Sequence, residues 1–134
     1  MSVRIRIAAV VLAVLTTTDV VLTHHSYSAV FDVKNKIVLT GTLTKVDWRN
    51  PHVAMFLDVK GADGHVEAWT FEASPPSLFA RRGITQARFQ KAIGSAVRVE
   101  AYRAKDARLF GSLLKLTFAD GTVVLNVDSS SASH

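Results

Sequence analysis

The segment "IVLTGTLTKVDW", residues 37–48, constrains the fold more than any other part of the chain. Apolar and polar residues alternate up to Leu43, and the alternation then slips by one residue to Val46. Because side chains alternate strictly between the two faces of a strand, the slip predicts a bulge near Thr44 and Lys45. A long first strand that changes face in this way is what a small β-barrel needs.

Later segments show the same two-residue alternation and are separated by turn residues. We predict strands at residues 53–59, 66–73, 96–102, 109–118 and 123–127, with turns at "GADG", residues 61–64, and "ADGT", residues 119–122. The residues predicted to be buried are Val53, Met55, Leu57, Val59, Val97, Val99, Ala101, Phe110, Leu114, Leu116 and Phe118.

The segment between the third and fourth strands carries helix signals. Ser74 is predicted to cap a short helix with Pro75 in its first position, and Gly83 lies where a left-handed residue ends a helix. Thr85 is predicted to cap a second helix that stops at Gly94. The order predicts a mainly β chain, folded as a five- to six-stranded OB-like barrel with a helical segment between the third and fourth strands. An SH3-like or other open barrel is the competing interpretation.

The 134 residues are enough for one domain with one modest core. Residues 1–23 resemble a signal peptide, because Arg4 and Arg6 precede an apolar run at 7–15 that is too short to span a bilayer. The cut site is left open, since "VLT" before His24 is a poor cleavage sequence. The alternative is a buried N-terminal helix of a cytosolic protein. The remaining chain divides into a barrel domain at 24–127 and a disordered tail at 128–134.

These segments predict a periplasmic or secreted protein without a permanent membrane anchor. Removing residues 1–23, with two arginines and one aspartate, lowers the formal charge from +5 to +4. This charge permits anionic partners without requiring them. The absence of cysteine excludes disulfides, thiolate metal sites and thiol nucleophiles.

The loop after the first strand, "WRNPH", concentrates side chains suited to recognition. Pro51 fixes its own backbone and moves Asn50 out of the helical region, so the loop is a shaped corner. We predict ligand-binding roles for Trp48, Arg49, Asn50 and His52. The competing interpretation is that the tryptophan is core and the histidine begins a strand.

The loop "YRAKDARLF" supplies a second group of candidates. Its predicted ligand-binding residues are Tyr102, Arg103, Lys105 and Arg108. In OB barrels the loops between strands 1 and 2 and between strands 4 and 5 flank one binding face. The two loops would then form a cationic mouth for a small anionic ligand, such as a carboxylate, phosphate or anionic glycan, or for a protein partner. The alternative is a solvated hairpin tip.

A metal site is the second functional hypothesis. A cut before His24 would place a free amine beside the imidazoles of His24 and His25, and such nitrogen donors suit Cu(II). His52 could complete the set if the N-terminus folds back on the first corner. Against this stands the interpretation of the adjacent histidines as polar spacer.

Catalysis and nucleic-acid binding have weaker support. The sequence contains no serine-histidine spacing that suits a triad, no paired carboxylates, no P-loop and no dinucleotide fingerprint. We therefore interpret the chain as non-catalytic. OB barrels often bind single strands, but export and a charge of only +4 argue against a nucleic-acid partner.

The ordered motifs "HHSYSAVFD", "WRNPH", "LFARRG" and "VEAYRAKD" resemble those of a family of small exported bacterial proteins of unknown function. The resemblance covers about residues 24–125. It implies export and a compact β domain, and it supplies no activity. Ala101 stands where the family has glycine, and "VLT" replaces its Ala-x-Ala cleavage pattern. The matching residues are His24, His25, Ser26, Phe31, Asp32, Trp48, Asn50, Pro51, His52, Arg81, Arg82, Gly83, Tyr102, Arg103, Lys105 and Asp106.

Overall fold

Six strands and two short helices make up most of the computed structural model, which describes residues 27–126. Residues 27–30 are helical. The elements that follow are β1 (Phe31–Asp47), β2 (Ala54–Lys60), β3 (Val66–Glu72), α1 (Pro76–Arg81), α2 (Gln86–Ala92), β4 (Ala96–Ala104), β5 (Phe110–Thr117) and β6 (Val123–Leu125). The predicted signal peptide and tail lie outside the described residues. Within 27–126, no helix is long and apolar enough to cross a membrane.

All six strands belong to one sheet, in the order β3-β2-β1-β4-β5-β6. Neighbours in this order are antiparallel, and an additional parallel pairing of β3 with β5 joins the sheet into a ring-like arrangement. The first half of β1 pairs with β4 and its second half pairs with β2. The predicted mainly β class and the helical segment between the third and fourth strands are confirmed.

The bulge in β1 is confirmed. The register between β1 and β2 shifts between Leu43 and Lys45, and both Leu43 and Val46 are buried on either side of it. Gly41 lies just before this bend, where β1 passes close to β2. A Cβ at Gly41 would lie 2.6 Å from the backbone oxygen of Asp58, so only glycine fits this approach.

The β2–β3 hairpin also forms as predicted, because Gly61 N–H donates to the His65 carbonyl at 2.7 Å and Gly64 has a positive φ of 84°. The inward side of the ring buries the alternating residues of β2 together with those of β3 and β4. Aromatic residues fill the space between the sheet and the two helices. The rings of Phe79 in α1 and Phe89 in α2 pack against each other with centroids 5.9 Å apart, and both are fully buried.

The predicted capping role of Ser74 is wrong. Helix α1 begins after Pro75, which makes no side-chain capping bond. Ser74 is fully buried, and its backbone N–H and its hydroxyl both donate to Asn126 Oδ1, at 2.8 and 2.6 Å. A buried hydroxyl needs a partner, and Asn126, directly after β6, supplies it. The predicted end of α1 is confirmed by the positive φ of 71° at Gly83.

The second helix matches its predicted signals. Thr85 caps α2, since its hydroxyl oxygen accepts from Arg88 N–H at 3.3 Å, and Gly94 follows the helix with a φ of 88°. The turn before β6 is also confirmed, because Phe118 N–H donates to the Thr122 carbonyl at 2.9 Å.

Two residues of β5 predicted to be buried are only half-buried. Phe110 and Leu114 were placed on the inner face by strict alternation, but the β4–β5 register shifts by one residue between Glu100 and Ala101. The shift moves Leu113 to the inside, where it is fully buried, and turns Leu114 away. Phe110 lies before the shift and pairs with Thr70 on the outer side of β3.

Candidate functional site

The first corner contains the cis peptide bond Asn50–Pro51. Trp48 is half-buried, and its ring packs on Phe79 and Phe89 with centroids 5.6 and 5.3 Å away. Arg49 is largely exposed and forms an ion pair with Asp47 at 2.8 Å. Trp48 therefore anchors the corner on the aromatic core, whereas Arg49 and Asn50 remain at the surface.

His52 connects this corner to β3. Its Nδ1 lies 3.3 Å from Glu72 Oε1, and 47% of the histidine side chain is exposed. Glu72 is the last residue of β3, and Ala54 and Ser112 are its register partners on β2 and β5. The end of β3 thus holds His52 at the rim of the outer surface.

The second loop is organised around Asp106. Its carboxylate accepts hydrogen bonds from Arg108 N–H at 3.1 Å and Arg108 Nε–H at 2.7 Å. The hydrogen bond from the Arg108 backbone is the main cause that lowers the pKa of Asp106. The Arg108 guanidinium lies 5.1 Å from the ring centroid of Phe110. This arginine is consequently fixed by its own loop.

Lys105 occupies the same loop and is exposed. Its charge helps to lower the pKa of Asp32, after the larger effects of hydrogen bonds from Asn35 and Lys34. Lys105 therefore lies close to the start of β1.

Tyr102 and Arg103 point to opposite sides of the sheet. Arg103 pairs with Gly111, which pairs with the buried Phe71, and its guanidinium lies 5.2 Å from the centroid of the Trp69 ring. Tyr102 instead shares an outward row with Ser112 and Glu72. The structure therefore separates Arg103 from the outer surface of β3 and keeps Tyr102 beside it.

Both loops nevertheless reach the outer surface of β3. His52 contacts Glu72, and two residues earlier Thr70 N–H donates to the Leu109 carbonyl at 3.0 Å. Two residues along a strand advance the chain by about 7 Å. Because Arg49 and Arg108 already have carboxylate partners, this surface is less cationic than the sequence predicts.

Sequence reasoning missed an aromatic row between the two loops. The register aligns Lys45, Phe56, Thr70 and Phe110 on neighbouring strands, and Lys45 Nζ lies 5.0 Å from the centroid of the Phe56 ring. Phe56 could have been found, since it alternates with the buried Met55 and Leu57 and so must face outward. Phe110 could not, because it was assigned to the core.

We call this feature the β3 groove and define it by Phe56, Ala68, Thr70 and Phe110. Ala68 and Thr70 are consecutive outward residues of β3 and form its floor, while the two phenyl rings stand on the strands at either side. His52 and Glu72 lie at the end of β3.

Across residues 27–126, no group of three histidine, aspartate or glutamate side chains is arranged to hold a metal ion. His24 and His25 lie outside the described residues, so the copper hypothesis stays a prediction. His52, the third residue of the copper hypothesis, lies within the described residues, and its Nδ1 is 3.3 Å from Glu72 Oε1.

A depression lies beside α2. It is a cleft of about 170 Å³ lined by residues that include Arg88, Lys91, Ser95 and Phe118. The Arg88 guanidinium lies 3.9 Å from the centroid of the Phe118 ring and bonds to Asp120 at 2.7 Å. The Arg88 side chain in this cleft is therefore held by contacts within the fold.

The fold and these surfaces define a mainly β domain with a ring-like six-stranded sheet and a mixed aromatic and polar outer face. The chain belongs to DUF6152, a family of unknown function, whose model matches residues 11–113. The predicted membership of an uncharacterised family is confirmed, while the N-terminal histidine motif stays a prediction. Neither a curated protein nor a solved structure matches the chain.

Proposed function

We propose that the chain is an exported, non-catalytic binding module that takes a small ligand or a protein partner on the outer surface of β3. In this proposal the sheet closes as an OB-like barrel, and the loops at residues 48–53 and 105–109 flank the site. Export rests on the N-terminal sequence alone.

The strand pairings support the OB-like interpretation. Around the ring, each strand from β1 to β5 has two neighbours, and the parallel β3–β5 pairing closes the circuit. In OB-folds, ligands bind at the face of strands 2 and 3, between the loops that join strands 1 and 2 and strands 4 and 5.

One observation carries the location of the site: both loops contact the same short stretch of β3. His52 reaches Glu72 from one side, and the Leu109 carbonyl accepts from Thr70 N–H on the other. A ligand on this stretch would touch both loops together with Phe56 and Phe110. Two loops held against one strand that is paired on both sides form a site that needs little reorganisation on binding.

Among the described residues, the carboxyl groups with a shifted pKa include no candidate general acid. Among the described residues, each shifted carboxyl pKa is lowered, and the main causes are hydrogen bonds, as at Asp63 and Asp120. A general acid at neutral pH needs a raised carboxyl pKa. These carboxylates would instead stay ionised and act as hydrogen-bond acceptors.

Ligand-induced thermal stabilisation of the folded chain tests the proposal. The probes are inorganic phosphate, citrate, neutral oligosaccharides and a twelve-residue thymidine oligonucleotide. The variant Arg49→Ala/His52→Ala/Arg108→Ala removes a charged or titratable group from both loops. We expect it to lose the stabilisation that a probe gives to the unmodified chain.

A matched control removes three cations elsewhere. Arg81→Ala/Arg82→Ala/Lys91→Ala changes exposed residues of the helical segment and should keep the full stabilisation. The small-ligand form of the proposal is wrong if no probe stabilises the chain, or if the loop variant and the control variant respond alike.

A further inference from the structure

The side chains along the outer face of β3 suit an extended ligand. Its floor carries only short side chains, Ala68 and Thr70, while Phe56 and Phe110 stand on the adjacent strands. Neighbouring strands lie about 4.8 Å apart, so the backbones that carry the two phenyl rings are separated by about 10 Å. A chain-like ligand could lie along β3 with an aromatic ring at each side.

The charges around the groove argue against a polyanion. Arg108 is paired with Asp106 at 2.7 Å and Arg49 with Asp47 at 2.8 Å, so each of these arginines has a carboxylate beside it. Glu72 lies at the end of the groove beside His52. Asp58 stands on the outer face of β2, directly opposite Ala68. A phosphate backbone offers only acceptors and would meet these carboxylates with repulsion.

A neutral sugar chain meets the same groups favourably. Its hydroxyls donate hydrogen bonds to carboxylates and accept them from ammonium groups, and Lys45 stands beside the Phe56 ring. The C–H faces of a pyranose ring are apolar and can cover a phenyl ring. An exposed sheet surface that combines aromatic rings with acceptors and one lysine therefore matches a hydroxyl-rich ligand better than a charged one.

We infer that the ligand of the β3 groove is a neutral oligosaccharide that lies along β3 between Phe56 and Phe110. The inference rests on the proposed function, because it names the ligand class of the same site. Its sugars would cover the parts of the two rings that Lys45, Arg108 and Phe31 leave free. They would also donate hydroxyl hydrogen bonds to Glu72 and Asp58.

Backbone amide NMR of the folded chain tests the inference. The probes are the β-1,4-linked hexasaccharides of glucose and of N-acetylglucosamine. The thymidine oligonucleotide and inorganic phosphate are added separately for comparison. We expect at least one hexasaccharide to shift the amide signals of Phe56, Thr70 and Phe110. We expect the oligonucleotide to leave these signals in place.

Two variants check the contacts. Phe56→Ala/Phe110→Ala should weaken hexasaccharide binding by about tenfold or more, which corresponds to about 1.4 kcal/mol. Ala68→Arg should also block binding, because Ala68 is exposed and its replacement fills the groove without altering the core. Val38→Arg is the matched control, since Val38 is 50% exposed and lies on the part of β1 that pairs with β4.

The outcomes separate this inference from the proposed function. If neither hexasaccharide shifts the groove signals but phosphate or the oligonucleotide does, the carbohydrate inference is wrong and the proposed site stands. If hexasaccharides bind with equal affinity to the Ala68→Arg and Val38→Arg variants, the groove is not their site. If no probe of any class shifts signals on β3, the carbohydrate inference and the small-ligand form of the proposed function are both wrong.

Discussion

Replacing Asn126 by alanine should destabilise the fold strongly, although Asn126 lies outside every helix and strand. Its Oδ1 accepts from the Ser74 backbone N–H at 2.8 Å and from the Ser74 hydroxyl at 2.6 Å. Both residues are buried. These bonds tie the end of β6 to the chain that leaves β3, so they secure the ring at a place where β3 and β5 are no longer paired.

The expected loss follows from the two donors. A buried donor that loses its acceptor costs about 1–3 kcal/mol, so removing the common acceptor should lower the free energy of unfolding by roughly 2–4 kcal/mol once some relaxation is allowed. In a domain of about 100 residues, each 1 kcal/mol corresponds to a change of about 4–8 °C in melting temperature, so the Tm should fall by about 8–30 °C. Ser74→Ala should cost less, because the backbone bond to Asn126 stays.

Urea denaturation followed by circular dichroism measures this loss. Asn35→Ala is the matched control, since Asn35 donates an exposed hydrogen bond to Asp32 at 3.0 Å and its loss should change stability by less than about 0.5 kcal/mol. The reasoning would be refuted if Asn126→Ala and Asn35→Ala unfold at the same urea concentration.

Three further predictions concern packing, pH and the N-terminus. Gly41→Ala should lower the free energy of unfolding by about 1–3 kcal/mol, because its Cβ would lie 2.6 Å from a β2 backbone oxygen. Gly61→Ala, whose Cβ would lie 3.2 Å from its nearest atom, should lower it by less than about 1 kcal/mol in urea melts. Equal losses would contradict the packing argument. Hydrogen bonds from Lys115 and Arg98 lower the pKa of Glu100 below its ordinary 4.5, so this carboxylate stabilises the fold above pH 4.5 and loses that effect as the pH falls through the lowered pKa. Thermal melts should therefore show Glu100→Gln less stable than the unmodified chain at pH 7, by about 1 kcal/mol or less, and this gap should narrow as the pH falls below 4.5. A gap that stays constant over this pH range would reject the prediction. If mass spectrometry of the secreted chain finds His24 first, the copper hypothesis predicts weaker Cu(II) binding after His24→Ala in a titration; another first residue or an unchanged affinity would reject the copper site.

The order of strands and helices along the chain and the bulge could be predicted, because the local alternation of apolar residues and the turn and capping residues indicate them. The slip before Val46 marks the bulge directly, and Gly83 and Thr85 mark helix boundaries through backbone geometry and capping. The bulge in β5 left no such mark. Leu113 and Leu114 are both apolar, so either could face the core, and only pairing with β4 decides between them.

The candidate site could be predicted less completely, because it depends on which strands become neighbours. The sequence indicates a shaped corner and a basic loop, but it does not show that Arg103 packs on Trp69, on the side of the sheet away from the groove. The same limit applies to Ser74, whose partner is 52 residues away. The outward position of Phe56 could be predicted from the alternation along β2, whereas that of Phe110 depends on the parallel β3–β5 pairing.

The most direct test of the ligand site is backbone amide NMR of the folded chain, with phosphate, the hexasaccharides and the oligonucleotide added in turn. The proposed site lies on the outer surface of β3, between the two loops. This placement predicts that the largest shifts for the binding probe occur at Phe56, Thr70 and Phe110. It would be contradicted if the largest shifts occurred at Arg88 and Lys91, in the cleft beside α2, while the signals of β3 stayed unchanged.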